Sequence, residues 1–296
     1  MLPGSAFAAV SIQLNVLPAD VLGIISAFLP RGDRHTLLET CKHIHSEATL
    51  FRYICLNTEH SLKYLFRFDF RNKISSLVVN IGTQLSLCID RRYSYVIQNV
   101  AIVAGVHALK LTEHDNVSDV SALGNVTSLD ISGCYRITDV SALGRVSTLM
   151  MDDCAGVTDV SALGGVTDLD LSNCSGVTDV SALGGATTLN LSRCSGVTDV
   201  SALGGATTLN LSGCDGITDV SALGGVTNLI LSGCSGVTDV SALGGATTLN
   251  LSGCDGITDV SALGGATTLN LSGCDGITDV SALGGATTLN LSGCDG

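Results

Sequence analysis

The sequence predicts an α/β solenoid in which short parallel strands line a concave face and 3₁₀-like turns line a convex face, preceded by a small helical N-terminal region. Three observations predict this fold. From residue 97 to residue 296 the chain divides into ten units of equal length without an insertion, and the last two units are identical. The same seven positions are apolar in the units, except that the first unit has His114 at the last of them, and Tyr135 is the only Phe, Tyr or Trp among the units. A fixed period of 20 residues is typical of proteins in which stacked units share one core.

Each unit contains one segment that predicts a strand. Leu209 and Leu211 alternate with polar residues, and this period of two indicates a short strand with one buried face. The buried apolar side chains of one unit contribute roughly 10–20 kcal/mol, whereas ordering its backbone costs roughly 20–40 kcal/mol. One unit therefore cannot fold alone, and we expect the ten units to be stable only as a stack.

The segment that follows the cysteine position predicts a tight turn. Apolar residues recur there at every third position, as at Ile217, Val220 and Leu223. This spacing favours a 3₁₀-like turn. We expect Thr218 or Asp219 to cap the turn by accepting backbone N–H bonds. Gly224 and Gly225 would supply the positive φ that reverses the chain.

The repeated pattern carries a family resemblance. Its core reads Ala206xxLeu209xLeu211xxCys214 in one unit and is similar to the LxxLxLxxC/N core of the leucine-rich repeat family, in its short, cysteine-containing type with a period of twenty. The resemblance covers residues 97–296, about two thirds of the chain. It implies a leucine-rich repeat stack, and proteins built in this way are interaction proteins.

Nine cysteines stand in register along the units, and His114 takes the same place in the first unit. They are Cys134, Cys154, Cys174, Cys194, Cys214, Cys234, Cys254, Cys274 and Cys294. The resemblance implies that this position satisfies backbone groups in the turn after the strand. A zinc site would need four converging ligands, whereas a ladder offers a line, so we expect no metal. All 12 cysteines of the chain are interpreted as reduced thiols of an intracellular, cytoplasmic protein, with a nuclear location left open.

A second ladder consists of one aspartate per unit, from Asp119 to Asp279, at the same place in each. Repulsion between neighbouring carboxylates in water is below about 1 kcal/mol, which capping hydrogen bonds can offset. Calcium binding is the alternative interpretation. Each unit lacks the clustered Asp and Gly of known calcium turns, so the sequence favours capping.

The N-terminal part carries a second resemblance. Residues 17–48 predict two amphipathic helices, the first beginning near Pro18 and ending at Pro30. The pattern LPxDxLxxIxxxLxxxD followed by Cys-Lys resembles the F-box, a three-helix motif that docks on the Skp adaptor of cullin-RING ubiquitin ligases. The resemblance assigns adaptor binding to Leu17, Pro18, Leu22, Ile25, Leu29 and Cys41. A helical cap over the open end of the solenoid is the alternative.

These features divide the chain into four parts. Residues 1–16 are an N-terminal segment, 17–48 the F-box-like motif, 49–96 a linker with one or two irregular repeats, and 97–296 the ten repeats. The charge follows this division, with a net charge of +3 in residues 1–96 and −16 in residues 97–296. An acidic body disfavours nucleic acid and membrane surfaces as partners. The chain has no signal-peptide pattern and no apolar run long enough to span a membrane.

The concave face predicts where a ligand binds. In the last units it is a uniform array of Thr, Asn and Ser, which offers little recognition information. The earlier units differ, and the candidate target-binding residues are Lys110, Asp130, Met150, Asp152, Asp168 and Asp170. No motif for catalysis or for a cofactor occurs, so an enzyme is not expected.

The sequence therefore predicts the substrate-recognition subunit of an SCF-type (cullin-RING) ubiquitin ligase, with a Skp-type adaptor and a protein target as partners. The alternative is a leucine-rich repeat scaffold with no ligase link. Around Leu289 and Leu291 the final unit would leave an open strand edge. We expect either self-association through this edge or a longer parent chain.

Overall fold

A computed structural model of the chain describes residues 106–294 and, further towards the N-terminus, three isolated strands. Together they form one 13-stranded sheet whose strands follow chain order. The strands are β1 (Ile12–Leu14), β2 (Arg52–Leu56), β3 (Ser86–Ile89), β4 (Ala108–Lys110), β5 (Ser128–Asp130), β6 (Thr148–Met150), β7 (Asp168–Asp170), β8 (Thr188–Asn190), β9 (Thr208–Asn210), β10 (Asn228–Ile230), β11 (Thr248–Asn250), β12 (Thr268–Asn270) and β13 (Thr288–Asn290).

The sheet has a constant register along the repeats. β1 pairs with β2 in antiparallel orientation, and every later pair is parallel. From β4 onwards each residue aligns with its equivalent in the next unit, as Leu209 does with Leu229. Equivalent side chains of successive units therefore lie side by side, about 4.8 Å apart.

The core is a continuous aliphatic column. The central residue of each strand from β4 to β12 is buried, as Leu129 and Leu209 are, and so is the residue after the strand, such as Leu211. These residues pack with the valines, isoleucines and leucines of the turns in a single cluster that runs through the stack. The described residues thus confirm the predicted solenoid of parallel strands.

Nine short 3₁₀ helices in the described part of the chain face the strands across this core. They are Ser121–Leu123, Ser141–Leu143, Ser161–Gly165, Ser181–Gly185, Leu203–Gly205, Ser221–Gly225, Ser241–Gly245, Ser261–Gly265 and Ser281–Gly285. Apolar residues three apart are joined by backbone hydrogen bonds, as from Leu223 N to Val220 O at 3.0 Å. This bonding explains why the apolar spacing in the turn is three.

Aspartate, and not threonine, caps each turn. The Ser221 N–H donates to Asp219 Oδ1 at 2.9 Å, and all nine aspartates of the ladder make the same contact at 2.8–2.9 Å. Hydrogen bonds from the hydroxyl and the N–H of Ser221 lower the pKa of Asp219 below its ordinary value of 3.8. The predicted capping role of the aspartate ladder is confirmed, with Asp219 rather than Thr218 as the acceptor.

Replacing Asp219 should separate the hydrogen bond from the charge. We expect Asp219→Ala to lower the melting temperature, because the Ser221 N–H loses its acceptor, and Asp219→Asn to lower it less, because an amide oxygen still accepts. A lowered folded-state pKa stabilises the fold above about pH 3.8 and loses this effect as the pH falls. Thermal melts at neutral pH and below pH 4 check both statements. Equal melting temperatures for the two variants would contradict the capping role.

The prediction for Gly224 and Gly225 is wrong. Both belong to the 3₁₀ helix Ser221–Gly225 and neither has a positive φ. The left-handed residue is instead the one just before each ladder cysteine, such as Gly213 with φ 67°. The paired glycines serve close packing of neighbouring turns, because a Cβ on Gly224 would lie 2.8 Å from the Ala242 carbonyl oxygen.

The cysteine ladder joins neighbouring units. Cys214 Sγ donates to the Leu191 carbonyl oxygen of the preceding unit at 3.1 Å, and every ladder cysteine makes the equivalent bond at 3.0–3.2 Å. The Leu211 carbonyl oxygen accepts from both the Cys214 N–H and the Cys234 thiol, so both of its lone pairs are used. All nine ladder thiols are free, and Cys134 to Cys274 are buried. Satisfaction of backbone groups by this position is confirmed.

The last described unit is less enclosed. Val280 and Leu289 are 42% and 39% exposed, whereas their counterparts in earlier units are buried. Self-association through this edge stays a prediction. In the part of the chain that the structure describes, no helix has the length and apolarity needed to cross a membrane.

Candidate functional site

The candidate site lies on the outer side of the sheet, away from the core. In each strand from β4 to β12 the central side chain points into the core, and the first and third are half-buried or exposed. We call this outer surface the strand face; it also includes the residue two positions after each strand. Because the register is constant, the strand face is a grid in which each row holds one position from every unit.

The structure brings the six sequence-predicted residues together on the strand face. Lys110, Asp130, Met150 and Asp170 are aligned partners in one row across β4–β7. Asp168 lies at the other end of β7, and Asp152 follows β6. We call these six residues the strand-face patch.

An ion pair lies at the N-terminal side of the patch. Lys110 Nζ contacts Asp130 Oδ2, with side chains that are 52% and 22% exposed. Such surface pairs contribute about 0–1 kcal/mol to stability. Lys110 is the only cation of the patch, so Asp152, Asp168 and Asp170 remain as carboxylates that no described ion pair neutralises.

A buried serine connects two of these carboxylates. Ser172 is 7% exposed, and its Oγ lies 2.6 Å from Asp170 Oδ1 and 2.8 Å from Asp152 Oδ1. The Ser172 N–H also donates to Asp170 Oδ1 at 2.8 Å. A hydroxyl has one proton, so Ser172 donates to one carboxylate at a time. The serine holds the two aspartates of neighbouring units in a fixed arrangement.

Two asparagines complete this arrangement. Asn173 Nδ2 donates to Asp152 Oδ1 at 2.7 Å, and Asn190 Nδ2 donates to Asp170 Oδ2 at 3.1 Å. Sequence reasoning missed Ser172, Asn173 and Asn190, since serine and asparagine recur at these places or close to them in other units. The repeat length could have indicated two of these contacts. Ser172 stands one repeat after Asp152, and Asn190 stands one repeat after Asp170.

Early units also differ in the left-handed residue before the ladder position. Glu113, Asp153, Asn173 and Arg193 occupy it with φ of 58–61°, whereas the unit with Gly133 and all the later units have glycine there. Non-glycine residues rarely adopt this backbone conformation. Unlike glycine, they add side chains beside the strand face, so the early units differ from the late ones in the turns as well as in the strands.

The aspartate ladder lies on the opposite side of the core from the strand face. The turns at Asp179 and Asp199 border a depression of about 250 Å³ that is lined by polar and small residues. One oxygen of each aspartate accepts the capping hydrogen bond. Among the described residues, no group of three or more His, Cys, Asp or Glu side chains is placed to hold a metal ion.

The F-box-like residues lie outside the described part of the chain. Residues 17–48 carry the predicted adaptor-binding set of Leu17, Pro18, Leu22, Ile25, Leu29 and Cys41, together with the alternative helical cap. Both interpretations of this region stay predictions.

Comparison with known proteins identifies the repeats. A family model described as Leucine Rich repeat matches residues 207–223, 247–263 and 267–283. Together with the parallel strands and 3₁₀ turns, this match supports the interpretation of the repeats as leucine-rich repeats. No curated protein matches the chain.

The solved structures that are similar to the chain include three bacterial proteins. Internalin C2 from Listeria monocytogenes is 24% identical, with 65% of this chain and 83% of that chain covered and a TM-score of 0.44. The functional domain of InlJ from Listeria monocytogenes, which includes a cysteine ladder, is 21% identical, with 68% and 60% covered and a TM-score of 0.39. The leucine-rich repeat protein LIC12759 from Leptospira interrogans is 14% identical, with 66% and 69% covered and a TM-score of 0.33.

Proposed function

We propose that this chain is a non-enzymatic protein-interaction protein that binds a protein target through the strand-face patch. The observation that carries the proposal is the register, which brings side chains from four successive units together on and beside strands β4–β7. Strands β11–β13 repeat the same Thr, Leu and Asn instead. A site that distinguishes one partner from others needs such local variation.

The patch has the physical properties of a binding surface on a rigid scaffold. Met150 offers a half-buried, adaptable apolar side chain between Asp130 and Asp170 in the same row. Ser172 fixes Asp152 and Asp170 before any partner arrives, which lowers the entropy cost of binding. The net negative charge supports a protein partner over nucleic acid or an anionic membrane.

Exchanging patch residues for those of the later repeats tests the proposal. The patch variant carries Asp152→Ser, Asp168→Thr and Asp170→Asn. Its control, the turn variant, carries Asp215→Ser, Asp255→Ser and Asp275→Ser and loses the same number of carboxylates away from the patch. We expect partners captured by the wild type and the turn variant to be lost from the patch variant, as measured by quantitative mass spectrometry. Equal capture by all three proteins would contradict the patch as the site.

We further propose that the chain is the substrate-recognition subunit of an SCF-type ubiquitin ligase. The F-box-like pattern in residues 17–48 supports this role, with Leu17, Pro18, Leu22, Ile25, Leu29 and Cys41 contacting a Skp-type adaptor. The free ladder thiols support a reducing, intracellular compartment, cytoplasmic or nuclear. In the competing proposal, the chain is a leucine-rich repeat scaffold whose N-terminal helices only cap the solenoid.

Co-purification with a Skp-type adaptor distinguishes the two proposals. We expect the wild type to retain the adaptor and the double variant Leu17→Asp, Pro18→Ala to lose it, because the exchange places a charge in the apolar docking surface. The patch variant serves as a folded control that should retain the adaptor. Equal retention by wild type and double variant, or no retention by either, would favour the scaffold.

A further inference from the structure

We propose that the turns Asp215-Gly216, Asp255-Gly256 and Asp275-Gly276 are sites of spontaneous isomerisation from aspartate to isoaspartate. The proposal concerns a covalent modification on the turn after the ladder cysteine and does not depend on the proposed binding function. Equivalent turns in other units carry Ser195-Gly196 or Ser235-Gly236, which lack the reactive carboxyl group. The modification is therefore expected in some repeats and absent from their neighbours.

Each turn is closed by a backbone hydrogen bond, such as that from Ile217 N to Cys214 O at 3.1 Å, and both reacting groups lie outside that bond. Asp215, Asp255 and Asp275 are exposed, and Gly216 is exposed as well. In the described part of the chain, no hydrogen bond involves the Asp215 carboxylate or the Gly216 N–H, and the same holds for the other two turns. Gly216 has no side chain to block approach of the aspartate carboxyl carbon to the glycine nitrogen.

The capping aspartate four residues further on, in the next unit, provides the contrast. Asp219 Oδ1 accepts a hydrogen bond from the Ser221 N–H at 2.9 Å, which holds the carboxylate on the nitrogen two residues on. The next residue is Val220, which is buried and β-branched, so its side chain hinders approach to its own nitrogen. Each reactive aspartate is thus followed by a protected aspartate.

The reaction needs only water and balances within the turn. The Gly216 nitrogen attacks Cγ of protonated Asp215; an N–Cγ bond forms, a Cγ–O bond breaks, and one water leaves with the amide proton. Hydrolysis of the resulting succinimide at the main-chain carbonyl breaks the original peptide bond and uses one water. The chain then continues through Cβ and Cγ, and the former main-chain carbonyl becomes a free carboxylate.

The stack leaves little space for this longer backbone. A Cβ added to Gly216 would lie 2.8 Å from Thr198 Cγ2, and one added to Gly256 would lie 2.7 Å from Thr238 Cγ2. An isoaspartyl residue inserts one methylene into a turn that contacts the preceding turn of the stack. We expect each modified turn to loosen this contact and to make the ageing protein less stable.

Incubation of the native protein in ¹⁸O-labelled water at neutral pH and physiological temperature tests the proposal. Peptide mapping should find isoaspartate with one incorporated heavy oxygen at residues 215, 255 and 275, at least about tenfold above residue 219. Methyl transfer by a purified isoaspartyl methyltransferase gives an independent readout of the new carboxylate. Asp215→Ser, the residue of neighbouring units, should abolish the signal at 215 and leave 255 and 275 unchanged.

The unfolded chain in urea provides the intrinsic rate for comparison. Isomerisation in urea with none at the three native turns would overturn the proposal, since the folded turn would then protect the site. Equal isomerisation at Asp219 and Asp215 in the native protein would also overturn it, because the hydrogen bond and Val220 would then have no effect.

Discussion

Raising the pH from about 8 to about 11 is expected to unfold the solenoid cooperatively, because the cysteine ladder must stay protonated in the folded state. Burial raises the pKa of Cys134, Cys174, Cys214 and Cys234 to about 11, and that of Cys154, Cys194 and Cys254 to about 12. Burial also raises the pKa of Cys274 above its ordinary value of 9.0.

The direction follows from proton binding in the two states. Above about pH 9 the unfolded chain loses its thiol protons, whereas the folded chain keeps them until the pH approaches about 11. The folded state then binds more protons, so the free energy of unfolding falls as the pH rises. Each thiol contributes about 1.4 kcal/mol per pH unit, so eight thiols give up to about 11 kcal/mol per pH unit. A free energy of unfolding of about 5–15 kcal/mol, which is typical of a domain, would be lost within about one to two pH units.

Circular dichroism across an alkaline titration, with a reductant present, measures this transition. The double variant Cys154→Ala, Cys194→Ala is the control, because it removes two titrating thiols from the ladder. We expect its unfolding free energy to fall less steeply with pH, by about two protons, although the variant is less stable at pH 7. Native spectra up to pH 11 in the wild type, or the same slope in both proteins, would contradict the account of the ladder.

Two glycines in units of identical sequence should respond to alanine in opposite directions. A Cβ on Gly264 would lie 2.7 Å from the Ala282 carbonyl oxygen of the next unit, whereas nothing lies within 4 Å of a Cβ on Gly284. We expect Gly264→Ala to destabilise the protein by about 1–3 kcal/mol, because backbone atoms must move. Gly284→Ala should stabilise it by about 0.4–1 kcal/mol, because alanine restricts the unfolded chain.

Urea denaturation of both variants measures the two free energies of unfolding. Both substitutions lie in the same sequence context and in a 3₁₀ helix, so propensity and hydrophobicity cancel in the comparison. The difference reports the contact between neighbouring turns alone. If both variants shift stability equally, close packing of the turns does not explain the paired glycines.

Sequence patterns predicted those features that repeat within one unit. The alternation around Leu209 predicted the strand, and the spacing of three predicted the 3₁₀ turn, because each pattern reflects a local backbone geometry. The sequence could not decide whether Thr218 or Asp219 caps the turn, because both side chains can accept a hydrogen bond from a backbone N–H. The aspartate is the acceptor in all nine units.

Contacts between units were harder to predict. Gly224 and Gly225 suggested a chain reversal, but their role is the approach of the next turn, which no single unit reveals. The left-handed residue before the ladder cysteine was not predicted. Non-glycine residues such as Arg193 occupy this position in some early units, so the sequence has no constant glycine there. The contact of Ser172 with Asp152 joins two successive units and became visible only through the register.

The central claim is that binding resides where the repeats differ, on the strand-face patch. The most direct measurement is the dissociation constant of a purified partner for the wild type, the patch variant and the turn variant. We predict that the patch variant binds at least about tenfold more weakly, a loss of about 1.4 kcal/mol, and that the turn variant binds like the wild type. Equal weakening in both variants would show that only the overall negative charge matters, and would contradict the claim.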